Sequence, residues 1–527
     1  MKIRLPVILA ATAVVALAGG CSSSSPAASS GSSSAAAAIP LLRVGDDAAL
    51  AAIDAGQDKG NDVYGTLESL TQFGPGGQVE PALASSVTQP NPVTYVYHLR
   101  QGVQFWDGNE MTSSDVVNAL DYYRQPGAYI ATEVSSVKSI TATGRYTVVV
   151  ALKYPYAPWL SVTTSQIPVF EKKFQDEHPT TMGQPGVLIQ GTGPFKIDSF
   201  DPTTGLELSA NPHWWGGRVP IKHVSVKLFA SETSEALAFR ASEIDGAYDV
   251  LNPRAFASAS GATMLSTPAF AEGYFGMNVH QAPWNDIHVR RAVAYALNPS
   301  DIIAALGNGA TPVSTLIPPI QLTRLGSQAQ VSTLVKSLPS YLFDLAKAKA
   351  ELAQSAYPHG FTATTQTISF GAYTPATEAI AGDLGKIGIN LKIKVIGFNQ
   401  YEALVSGPKA SVGGVYGTFN VTNSDPTAFP SFILGSNNIP AGGFNWANYD
   451  PPVIDTLINE GTTTQDPAKR LAIYGQMLKI LATDMPWVPI YIEDYNFALS
   501  SKYTWPGYDV YTQWGAWELH IKPRESL

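Results

Sequence analysis

Residues Gly191–Gly217 read GTGPFKIDSFDPTTGLELSANPHWWGG. Phe195 to Phe200 and Leu206 to Ala210 are two β-rich runs, and the Asp-Pro and Thr-Gly pairs between them supply turn chemistry. A Gly-Pro turn precedes the first run, and Trp214–Trp215 follows the second. The stretch therefore predicts a hairpin that turns at Asp201–Gly205 and stops at an aromatic pair.

Toward the N-terminus, Lys2 and Arg4 precede an apolar run from Leu5 to Leu17, and then come Ala18, Gly19, Gly20 and Cys21. A basic start, a short apolar run and small residues are the order of a secretory signal, and the run is too short for an ordinary membrane span. Cys21 is the only cysteine, so no disulfide framework exists. Ser22–Ala38 is rich in Ser and Ala and lacks periodicity, so residues 21–41 are expected to form a flexible tether. About 490 residues remain, enough for two or three lobes rather than one core. The formal charge of −9, two units more negative without Lys2 and Arg4, argues against nucleic acid and a polybasic membrane patch. It also disfavours a strongly anionic solute.

The opening stretch resembles the T-G-P-[YF]-x-[LIV] … L-x-x-N-x-x-[YW]-W signature of the family 5 extracellular solute-binding proteins, the dipeptide, oligopeptide and nickel class. Gly191, Gly193, Pro194, Phe195, Asn211, Pro212, Trp214 and Trp215 stand in register with it. Val63–Leu70, VYGTLESL, resembles the family's Y-E-x-L region. Leu99, Arg100, Gly102, Val103, Phe105, Asp107, Gly108 and Asp115 fall in a further block, and WNDIHVRRAVAYALNPSDII in another. Physics reads the same segments as structure: strands at 93–99, 146–152 and 389–395, and helices opened by Thr112, Asp286, Ser300, Asp344 and Asp466. Residues 154–190 read as loop.

The resemblance implies an α/β, two-lobed periplasmic-binding-protein-like fold with an extra subdomain in the first lobe. The expected division is a signal at 1–20, lobe I at 42–268 and 490–527 with a subdomain at about 76–190, and lobe II at 269–489. It further implies capture of a peptide or peptide-like solute by a monomer and delivery to the permease and ATPase of an ATP-driven importer. Separately, the small residues immediately before Cys21 resemble a bacterial lipoprotein signal, which implies a lipid on Cys21 that holds the chain on the outer face of the membrane. A ligand-sensing lipoprotein, or a binder of an oligosaccharide, metal chelate or apolar compound, is the alternative.

Enzyme signals are poor. Ser135–Lys138 matches S-x-x-K without its companion motifs, and no phosphate loop, nucleophile elbow or H-E-x-x-H occurs. The eight histidines do not cluster, so no metal or cofactor is expected. Gly417–Phe429, GTFNVTNSDPTAF, is more informative. Peptide-binding relatives read W-x-A-D-Y-x-[DE]-P here, with the Asp on the peptide ammonium and the Trp against the ligand. In this chain Thr422 and Phe419 occupy those places, Asn423 follows, and Asp425 and Pro426 match the turn. A hydroxyl cannot ion-pair with an ammonium. The resemblance thus implies either solutes without a free α-ammonium or a role for Asp425 in holding one. Trp446 and Trp514, beside Gly- and Asn-rich loops, are further pocket candidates.

Overall fold

The computed structural model describes residues 38–47, 50–53, 64–125, 128, 130–131, 133–165, 167–259, 261–369, 373–405, 413–420, 424–439 and 443–524. The expected signal, Cys21 and the tether up to residue 37 lie outside the described residues. Among those described, no helix is long and apolar enough to cross a membrane.

The hairpin forms as its sequence predicts, from Phe195–Asp201 and Gly205–Ala210. Asp201 Oδ1 accepts from the Thr203 N–H at 2.7 Å and so builds the turn. Gly205 sits at φ +124°, where a Cβ would lie 1.8 Å from the Val226 carbonyl oxygen, so only glycine fits. The hairpin is the edge of a nine-stranded mixed sheet. Inward from it come His223–Leu228, Leu42–Asp46 and Gly246–Ala247, then the two long strands Trp487–Ser500 and Ala262–Met277, and last Gly414–Asn420. Leu42–Asp46 is parallel to both neighbours.

The two long strands hold the halves of the sheet together. One end of the antiparallel pair bonds to Gly246–Ala247, and the other bonds to Gly414–Asn420 and Ala310–Pro312. Their mutual ladder slips between Pro268 and Glu272, opposite Asp494 and Ile492, where Pro268 has no N–H to give. Before the break, apolar side chains from Ile39 to Val226 pack with Phe497, Trp505 and Trp517. Beyond it, Phe275, Val289, Ile380 and Tyr491 build a separate core.

Local readings hold where caps are explicit. Thr112 and Asp115 form both halves of a capping box on Ser113–Tyr123. Asp286, Asp344 and Asp466 cap Ile287–Ala296, Leu345–Leu352 and Pro467–Asp484. Two expectations change. The cap expected at Ser300 is Asn298, whose side chain accepts from the Ser300 N–H while Pro299 takes the first helical position. The expected loop at 154–190 contains the helices Trp159–Ser165 and Lys172–Glu177, each too short to show an apolar stripe in sequence.

Candidate functional site

The ladder between Ala262–Met277 and Gly414–Asn420 runs unbroken from Ala271 to Met277, so Glu272, Tyr274 and Gly276 share one face of the sheet. On that face Tyr274 meets Trp487 at 4.9 Å, Trp446 at 5.6 Å and Phe429 at 5.8 Å between ring centroids. Gly417, opposite Tyr274, makes the room: a Cβ there would come within 1.9 Å of the Trp446 ring. Within the ladder break, Phe270 meets Tyr511 at 5.7 Å and Trp514 at 6.3 Å, and both also pack on Phe73. Glu272 falls on its strand between Phe270 and Tyr274, whose rings belong to one apolar cluster with Trp446, Tyr511 and Trp514.

Glu272 is fully buried, and among the described residues neither carboxylate oxygen has a hydrogen-bond partner. Burial alone pushes its carboxyl well above the usual carboxylate range. The Tyr274 hydroxyl, the Trp446 indole N–H, the Ser424 hydroxyl and both ends of the Gln513 amide are likewise buried and unpaired. Folded proteins normally pair such atoms. Two hydrogen bonds join segments far apart in sequence: the Ala157 N–H donates to the Thr462 carbonyl at 2.9 Å, and Arg324 Nη1 donates to the Gly77 carbonyl.

Of the residues expected to bind solute, Trp446 and Trp514 pack in the same apolar cluster, Trp446 almost wholly buried and Trp514 partly so. Phe419 pairs with Glu272 through the backbone ladder. Thr422 and Asn423 lie outside the described residues. Asp425 is taken up within the protein. Arg470 Nη1 and Nη2 donate to its two oxygens at 2.9 and 2.6 Å, and the Thr427 N–H donates at 2.9 Å. Burial would raise the Asp425 carboxyl, but the Arg470 guanidinium holds it below the usual range. This carboxylate ties the Asp425–Pro426 turn to the helix Pro467–Asp484. Glu272 and Gln513 were not singled out in sequence. The available signal for Glu272 was one acid inside the apolar run AFAEGYFGM.

The signature residues meet elsewhere. Trp214 Nε1 and Trp215 Nε1 donate to Glu68 Oε1 at 3.0 and 3.1 Å, and Thr192 Oγ1 donates to Glu68 Oε2 at 2.8 Å. The Arg100 guanidinium lies 4.3 Å over the Trp215 ring. Burial pushes the Glu68 carboxyl up to about 7 against those hydrogen bonds. The conspicuous sequence blocks thus build a structural knot. Among the described residues, no three His, Cys, Asp or Glu side chains gather as a metal site.

Comparison with known proteins agrees with this architecture. The family described as "Bacterial extracellular solute-binding proteins, family 5 Middle" matches residues 78–440. The glutathione-binding protein GsiB of Escherichia coli K12 is 23% identical over 446 residues, which are 81% of this chain and 83% of that protein. The solved structure of DppA from Helicobacter pylori in complex with the peptide STSA superposes with a TM-score of 0.74 at 22% identity, over 93% of this chain and 99% of that one. HbpA2 from Haemophilus parasuis gives 0.77 at 21% identity, over 92% and 100%. The fold is that of the two-lobed periplasmic binding proteins, and the chain belongs to the family 5 bacterial extracellular solute-binding proteins, which bind solutes for ATP-driven importers and are not enzymes.

Proposed function

We propose that this protein captures a peptide or peptide-like small solute between lobe I (42–268 and 490–527, with a subdomain at about 76–190) and lobe II (269–489). It hands the solute to a membrane permease, and a partner ATPase supplies the energy. Cys21, exposed by removal of residues 1–20, carries the lipid that holds the chain on the outer face of the membrane, and residues 21–41 are the tether.

The observation that carries the reading is the buried face around Glu272. Unpaired donors (the Trp446 indole, the Tyr274 hydroxyl, the Gln513 amide) and unpaired acceptors (Glu272, the Gln513 carbonyl) sit among aromatic rings. A peptide offers alternating N–H and C=O groups with apolar side chains between them, which complements that mixture. The peptide in the DppA structure and the name of GsiB support the same class.

Mass spectrometry of protein extracted from its own membranes tests both parts. The expected result is an acylated N-terminal Cys21 and one small amide-bearing molecule released per chain on denaturation. An unacylated Cys21 would overturn the anchor. A chain that carries no such molecule, and takes up none from a pool of di- to tetrapeptides, would overturn the solute class.

A further inference from the structure

Glu272 poses a physical problem that the fold alone leaves unsolved. An isolated carboxylate out of water is costly, and proteins resolve that cost by protonation, by an internal cation or by a bound one. No basic side chain among the described residues pairs with Glu272 or offsets the effect of its burial. The nearby carboxylate Asp425 is different, because Arg470 already neutralises it with two hydrogen bonds. Its place in the sheet is also unusual. It lies where the ladder of the two long strands breaks, on the face that carries Tyr274. On its strand it falls between Phe270, whose ring meets Trp514, and Tyr274, whose ring meets Trp446. Aromatic faces flanking a carboxylate form a receptor for an organic cation, since ring quadrupoles and the negative charge attract the same group.

We propose that Glu272 receives the positively charged group of the solute, an alkylammonium or guanidinium, at the break between the two long strands. The proposal rests on the solute-capturing role above and deepens it by naming the charge of the solute. It reverses the expectation drawn from Thr422 alone. The acid that peptide-binding relatives place at the Thr422 position is absent from that loop, and this chain supplies one from the neighbouring strand, across the ladder from Phe419. The net charge of −9 is compatible with a cationic solute.

Calorimetry on the full chain tests this with two probe pools, tripeptides with a free amino terminus and the same tripeptides N-acetylated, against wild type and Glu272→Gln. Wild type is expected to bind the free-amino pool about ten- to a hundredfold tighter than the acetylated pool, and Glu272→Gln to bind the two alike. Without solute, Glu272→Gln should melt at the wild-type temperature or above, because it replaces a buried carboxyl whose oxygens have no partner among the described residues with a neutral amide of the same shape. Equal binding of both pools by wild type, or discrimination that survives in Glu272→Gln, overturns the proposal. If wild type takes neither pool, the peptide class fails, and putrescine, spermidine and agmatine decide the role of Glu272. Binding of any of them that weakens about tenfold or more in Glu272→Gln upholds it. Binding of none, or binding indifferent to the substitution, refutes it.

Discussion

Two buried acids in the same half of the molecule show how environment sets the role of a side chain. Asp425 and Glu272 are both almost free of solvent. Asp425 is held below its ordinary range because the Arg470 guanidinium outweighs burial, whereas Glu272 is raised because nothing opposes burial. Asp425→Asn should therefore cost about 3–5 kcal/mol of folding stability at neutral pH, since it strands Arg470 without its partner. The deficit should shrink as the pH falls through the Asp425 range, because a depressed acid stabilises only while ionised. Urea denaturation of wild type and variant at pH 7 and pH 3 checks this. A loss under about 1 kcal/mol at pH 7 would mean that the pair is not a fixed element of the fold.

At the scale of elements, the knot around Glu68 joins three stretches that sequence presents as separate blocks. Its acid has a folded pKa of about 7, raised from an ordinary 4.5 by burial. Such a group favours folding fully below its unfolded pKa, and that contribution is lost as the pH rises through the folded value. The melting temperature of wild type should therefore fall relative to Glu68→Gln between pH 5 and pH 8, and a constant difference across that window would contradict the assigned burial. The hairpin at 195–210 and the helix at 287–296 were legible in sequence because their signals are local: an Asp-initiated turn, a forced glycine, an N-cap before an apolar stripe. The knot and the surroundings of Glu272 were not. Glu68 meets Trp214 and Trp215 from 146 and 147 positions away, and Glu272 meets its strand partners only through long-range pairing. A lone Glu in an apolar strand is visible in sequence, but that no partner reaches it among the described residues is a property of the fold.

At the scale of the molecule, the family resemblance gave the two-lobed fold, because its blocks recur along most of the chain. It did not show that the shared strands shift register at Pro268–Glu272, so that this irregularity and a buried carboxyl without a partner among the described residues coincide. A break in a ladder common to both halves is a place where small backbone changes rotate one half against the other. Solute bound at Glu272 would touch aromatic groups from both halves and favour the closed arrangement over an open one. Small-angle X-ray scattering during titration with the solute released from the native protein tests this most directly. The account predicts a radius of gyration that decreases with occupancy and levels off at one solute per chain in wild type. Wild-type saturation with no change in radius would contradict capture by closure of the two lobes.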